Sequence, residues 1–261
     1  MFDDKKGQVT VFIIVGIILL IAVGMVFYIY GDRLRVGPEV KFDAGQVEPL
    51  KNYVEQCIER EGGEVIKLVS EHGGRIEPEF GYYYGEEKVA YLCYTEEFMP
   101  CENKMPFIRK EIEKEMNAHL AGRIKECVDL DSFKDYEIQE GEMKVSTSVG
   151  DENVLVVVDY PLTLSKGNSV MSQDKFSHNF KVSLGRLADV ASDVVDSEII
   201  SGTFFSESYE LSHPGVVVHH GVSVKEWKPV STKTRVYTVY TRENPDLKFR
   251  FAVKGWVVPN D

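Results

Sequence analysis

Residues 108–149 read IRKEIEKEMNAHLAGRIKECVDLDSFKDYEIQEGEMKVSTSV, and the apolar period changes part-way along them. Ile108, Ile112, Met116, Leu120, Ile124 and Val128 recur every fourth residue, which sets them on one face of a helix, with Cys127 alongside. Pro106 suits that helix's first turn, where its missing N–H costs nothing. Beyond Asp129 the pattern turns to β, and residues 136–149 read as a strand. A chain that makes this switch belongs to the α+β class.

Toward the N-terminus, Val47, Leu50, Val54, Cys57, Ile58, Val65, Leu68, Val69 and His72 step mostly by threes and fours, a second amphipathic helix. Gly62-Gly63 falls inside it and predicts a kink or a break, since each glycine costs about 1 kcal/mol relative to alanine. Gly73-Gly74 predicts its end. Residues 80–84 and 88–95 are aromatic and β-rich around Gly85-Glu86-Glu87, a short hairpin. Alternation sets Tyr82 and Tyr84 on one face and Tyr83 on the other, so the triple tyrosine reads as sheet packing ahead of ligand stacking.

Toward the C-terminus, residues 153–164 and 176–182 read as strands separated by turn residues. Leu184, Leu187, Ala188, Ala191, Val194, Val195 and Ile199 mark a third amphipathic helix. Strands follow at 216–224, 234–241 and 247–258, the last two joined through Asn244-Pro245-Asp246. No internal repeat or low-complexity tract interrupts them.

The 261 residues carry a formal net charge of -12. Such a surface repels phosphates and argues against nucleic acid as a partner; its main consequence is solubility.

Four cysteines allow three connectivities. Cys57 and Cys127 fall on the apolar faces of two helices, and Cys93 and Cys101 flank a short loop containing Pro100. The favoured pairing is therefore Cys57 with Cys127 and Cys93 with Cys101, in an oxidising compartment. A zinc site built from all four thiolates is the rival, although no C-x2-C pair exists to form a knuckle. Free core thiols are the bland reading.

Other chemistry is sparse. His219 and His220 are neighbours in a strand, so they point to opposite faces and do not grip one metal together; His213 or His178 could join one of them. Ser172-Gln173-Asp174-Lys175 matches S-x-x-K but sits in a turn-rich stretch. Glu59, Glu61 and Glu64, like Glu111, Glu113 and Glu115, lie among lysines and arginines as solvated helix faces do. There is no H-E-x-x-H, G-x-S-x-G, P-loop or G-x-G-x-x-G, and no N-x-S/T acceptor. Neither a catalytic residue nor a cofactor is assigned.

The N-terminus supplies the functional reading. Lys5-Lys6-Gly7-Gln8 precedes Val9–Tyr30, 22 residues without a charge. As a helix this run reaches roughly 33 Å, enough to cross a bilayer's hydrocarbon core. A secretory signal cut near Ala22-Val23-Gly24 would leave an apolar stub. A plain single-pass anchor, with Phe27, Tyr28 and Tyr30 at the interface, needs no further function. The tetrapeptide placed directly before the apolar run resembles the class III signal peptide of archaeal type IV pilin-like proteins. That resemblance covers about the first 30 residues. It implies cleavage by a prepilin peptidase after Gly7, a mature chain beginning at Gln8, and a retained helix that anchors in lipid or packs against sister subunits. Phe12 stands where bacterial members carry glutamate, a departure that weighs more against a bacterial-type member than an archaeal one. The stretch Leu50–Cys57 with Gly73-Gly74-Arg75-Ile76, and the closing Lys248–Val253, resemble an uncharacterised group of surface proteins of small-genome archaea.

The expected organisation is a leader at 1–7, a transmembrane or pilin-like helix at 8–31 and a linker at 32–45, then a disulfide-braced helical subdomain at 46–131 and an α+β subdomain at 132–261. The fold class expected is α+β: an N-terminal transmembrane helix, a helical hairpin with a short β-hairpin, then a mixed α+β ectodomain. The expected protein is a structural or adhesive component of the cell envelope, single-pass, with a cytoplasmic N-terminus and an extracellular C-terminal domain. Its expected partners are membrane lipid, a prepilin peptidase and other pilin-like subunits. The alternative is an unprocessed single-pass protein with a binding ectodomain.

Overall fold

The structure, a computed structural model, describes residues 48–96, 99–222 and 234–255. Helix α1, Glu48–Glu71, leads into strands β1, Gly81–Tyr84, and β2, Glu87–Tyr94, then a two-residue β3, Glu102–Asn103. Helix α2, Ile108–Cys127, precedes β4, Glu137–Glu140, β5, Lys144–Val149, β6, Val154–Lys166, and β7, Ser169–Phe180. Helices α3, Leu184–Ser201, and α4, Ser206–Ser212, precede β8, Val216–Val222, β9, Arg235–Thr241, and β10, Phe249–Lys254.

The step of four in α2 has its physical meaning here: Ile108, Ile112, Met116, Leu120 and Ile124 are all buried, on one stripe. The larger sheet runs β1-β2-β10-β9-β8, with β3 beside β2; the smaller has β6 at its centre, β7 along one side and β5 and β4 in turn along the other. Helix α1 touches β7 of the smaller sheet and β10 of the larger, α2 touches β5, and α3 lies on β10, β9 and β2. The helices thus form a layer between two sheets, and the core fills both of its faces.

Two architectural expectations are corrected. Among the described residues no helix is long and apolar enough to cross a membrane. The longest, α1, carries Glu59, Glu64 and Lys67 along its exposed side. Among the described residues the fold is α+β with four helices and two sheets, and none of those helices is a membrane span. Residues 8–31, where the sequence places that helix, lie outside the described residues, as do the leader at 1–7 and the linker at 32–45. Nor does a helical hairpin with its own β-hairpin precede a separate α+β part. Strand β2 pairs in parallel with β10, Tyr91 opposite Ala252 and Cys93 opposite Val253, so strands from 46–131 and 132–261 share one sheet.

Smaller differences have local causes. Helix α1 runs unbroken through Gly62-Gly63, because the missing side chain at Gly62 makes room for the Phe180 ring. The helix stops where the sequence predicts, with Gly73 and Gly74 at φ of 74° and 90°. The strand at 136–149 is two, β4 and β5, both paired to the long β6. Strand β7 begins at Ser169, earlier than its apolar spacing indicates, because a tight turn through Gly167 and Asn168 pairs Lys166 with Ser169 directly. The S-x-x-K stretch is therefore strand, with Ser172 Oγ donating to Asp174 at 3.0 Å.

Candidate functional site

The processing residues Lys5, Lys6, Gly7 and Gln8 lie outside the described residues. The cysteines lie within them: Cys57 is bonded to Cys127, and Cys93 to Cys101, with Cα–Cα distances of 5.8 and 5.4 Å and no free cysteine among the described residues. The first cystine clamps α1 to the last turn of α2. Beside it Tyr53 Oη donates to Cys127 O at 3.1 Å and accepts from the Asp129 N–H at 3.0 Å. The second closes the loop between β2 and β3 against the sheet that holds β10. Among the described residues no group of three or more His, Cys, Asp and Glu side chains is placed to hold a metal ion.

The histidines separate as strand alternation requires. His219 Nε2 lies 3.2 Å from Tyr240 Oη on the outer face of the larger sheet, while His220 lies beside Tyr237 on the helix-facing side, ring centroids 5.6 Å apart. His213 stacks on Tyr209 at 4.0 Å, and His178 lies against Phe180.

The outer face is where binding groups gather. Strands β8, β9 and β10 form there because their sequences, VVVHHGV, RVYTVYT and FRFAVK, are rich in β-branched and aromatic residues. Register sets Thr238 between His219 on one side and Arg250 on the other. Directly opposed residues share a face, so His219, Thr238 and Arg250 form one row, with Tyr240 and Lys248 each a two-residue step along. The β1–β2 hairpin arches over this row. Its turn closes at Gly85, φ 70°, a conformation glycine adopts without strain, and pairs Tyr84 with Glu87. Tyr84 then reaches so far across the sheet that its Oη stands 3.8 Å from where a Cβ on Gly221 would be. The Arg250 guanidinium lies 5.7 Å from the Tyr84 ring centre and pairs with Glu87 at 2.7 Å.

Tyr84, His219, Thr238, Tyr240, Lys248 and Arg250 line an open cleft of about 430 Å³. Of the three tyrosines, Tyr82 packs on Tyr91 over buried Val89, Val236 and Ala252, as sheet packing requires. Tyr84 is 46% exposed and lines the cleft, a role the alternation argument missed.

A second cleft, about 520 Å³, lies between α2 and the start of β1 and is lined by Arg75, Lys104, Glu115 and His119. Glu77, Glu79 and Glu115 supply its carboxylates, and the last is already engaged. Glu115 accepts from the Ile76 N–H at 3.0 Å and faces Arg75 at 3.5 Å, with His119 at 4.0 Å.

A buried carboxylate faces neither cleft. Glu198, in the last turn of α3, is fully buried; it accepts from Tyr237 Oη and pairs with Arg235, whose Nη2 also donates to Gly202 O at 2.9 Å. Burial pushes the Glu198 carboxyl above the usual range, against the opposing pull of Arg235 and the Tyr237 hydroxyl. Burial likewise raises the Tyr237 phenol. Walled off from solvent, this group ties helix to sheet. The sequence carried its signal: Glu198 continues the stripe of Val194 and Val195, a charge on an apolar face.

Comparison of the chain with models of known protein families, with characterised proteins and with solved structures finds no match.

Proposed function

We propose that this chain is a pilin-like surface protein of the cell envelope, cut after Gly7 and held at the membrane through the apolar residues 9–30. Its C-terminal domain lies outside the cell and serves a structural or adhesive role. Membrane lipid, a prepilin peptidase and sister subunits are its partners. The observation that supports this reading is the pair of cystines in a domain that follows a charge-free N-terminal run: such bonds persist in oxidising compartments. The cleft beside Tyr84 supports the adhesive role, because a concavity with convergent polar groups and aromatic rings suits a small ligand.

The test is the intact mass and N-terminal sequence of the protein taken from its native membrane, beside a Gly7→Val variant. A mature chain beginning at Gln8, with the variant keeping residues 1–7, supports the reading. A wild-type chain that keeps residues 1–7 sinks the processing step and leaves a single-pass protein with a binding domain.

A further inference from the structure

We infer that the cleft beneath the β1–β2 hairpin is a binding site for a neutral saccharide, a reading that deepens the adhesive half of the proposed function and rests on it. Three features of the cleft carry the inference.

The first is the character of its walls. Tyr84 and Tyr240 contribute rings, and Pro245 is the one wholly apolar side chain of the lining. A peptide with aliphatic anchors finds no apolar pocket there. The C–H face of a pyranose, by contrast, carries the partial positive charge that the negative face of an aromatic ring attracts.

The second is the mixture of hydrogen-bonding groups. Lys248 and Arg250 only donate, Asp246 only accepts, Thr238 can do both, and Tyr240 and His219 supply the capacity left by the contact between them. A ring bearing several hydroxyls, each both donor and acceptor, matches such a set. A ligand with acceptors alone does not.

The third is charge. Arg250 is paired to Glu87 at 2.7 Å, and Asp246 shares the cleft with Lys248, so opposite charges offset one another. On a chain of net charge -12 nothing remains to draw in a polyanion. The cleft volume lies within the range of small-ligand sites.

The test uses the full chain in lipid nanodiscs on an array carrying neutral hexose and N-acetylhexosamine oligosaccharides, uronate-containing oligosaccharides and acidic peptides. The expected result is binding to neutral saccharides that falls at least tenfold in Tyr84→Ala and Tyr240→Ala and holds in Tyr83→Ala, whose ring lies outside the cleft. Lys248→Ala alters an exposed side chain without touching the core, and a several-fold loss is expected there too. Three results overturn the inference: no neutral saccharide bound, binding indifferent to Tyr84→Ala and Lys248→Ala, or signal on uronates or acidic peptides alone. The Gly7→Val chain keeps the cleft and should bind the same spots. Array binding by a wild-type chain that keeps residues 1–7 overturns the pilin-like reading only, and a wild-type chain that begins at Gln8 but binds no saccharide overturns the saccharide site only.

Discussion

Gly62, in the middle of α1, faces the ring of Phe180 at the end of β7 so closely that a Cβ at position 62 would stand 2.5 Å from Phe180 Cζ. At Gly63 the same atom would meet Phe180 at 3.9 Å, ordinary contact. Two adjacent glycines therefore differ in purpose. One admits a side chain from the smaller sheet, and the other occupies a helix position that alanine fits.

Gly63→Ala should stabilise the protein by up to about 1 kcal/mol through helix propensity. Gly62→Ala gains the same propensity but displaces the Phe180 ring, and overpacking of about 1–3 kcal/mol outweighs it. Chemical denaturation of both variants checks this. The expected signs are opposite, and Phe180→Leu in the Gly62→Ala background should recover part of the loss. Equal signs for the two alanine variants would remove the packing account of Gly62.

The cystines differ in the length of chain they close, 70 against 8 residues of separation. In the chain-entropy model the first contributes about 4 kcal/mol and the second about 2.5 kcal/mol. Replacing Cys57 and Cys127 together by alanine should lower the Tm more than replacing Cys93 and Cys101 together. A larger drop from the second pair would mean that its loop, and not the α1–α2 clamp, dominates stability.

Arg109, at the start of α2, joins three elements. Its Nε donates to Asp189 of α3 at 2.8 Å, and its Nη2 donates to Asp189 and to Asp151 in the β5–β6 turn. Arg109→Ala should cost about 1 kcal/mol, as expected of a partly exposed network. Arg109→Lys should restore less than half, since an ammonium cannot reproduce the fork. Thermal unfolding at low and high salt tests both, and full rescue by lysine would reduce the interaction to simple charge.

What could be read in advance was what is written locally. The stripe Ile108 to Ile124 lies on one helix and needs no partner to be seen. The parallel pairing of Tyr91 with Ala252 joins residues far apart, and neither strand's sequence names the other. Helix α4 has too few residues to show a period, and β3 is two residues long. The cleft is the extreme case: Tyr84, His219, Tyr240 and Arg250 come from four strands, and only the arch of one hairpin brings the first to the rest. Glu198 was legible as a misplaced charge, yet its partners Arg235 and Tyr237 sit on a strand far along the chain, so the charge could be seen and its compensation could not.

That compensation sets a pH dependence whose sign follows from burial. The Glu198 carboxyl is raised in the folded protein, chiefly by desolvation, while the unfolded chain titrates near about 4.3. Between those two values the folded state holds a proton that the unfolded state has lost. Stability from this group is therefore fully present below the ordinary carboxylate range and falls as pH rises through it toward the raised value, by at most about 1.4 kcal/mol per pH unit. Glu198→Gln removes the titration but keeps an acceptor for the Tyr237 hydroxyl, so other groups cancel in the comparison. The Tm of the wild type minus that of Glu198→Gln should be larger at pH 4.5 than at pH 7. A difference that grows with pH would mean that Arg235 outweighs desolvation, holding the carboxylate ionised as half of a buried ion pair.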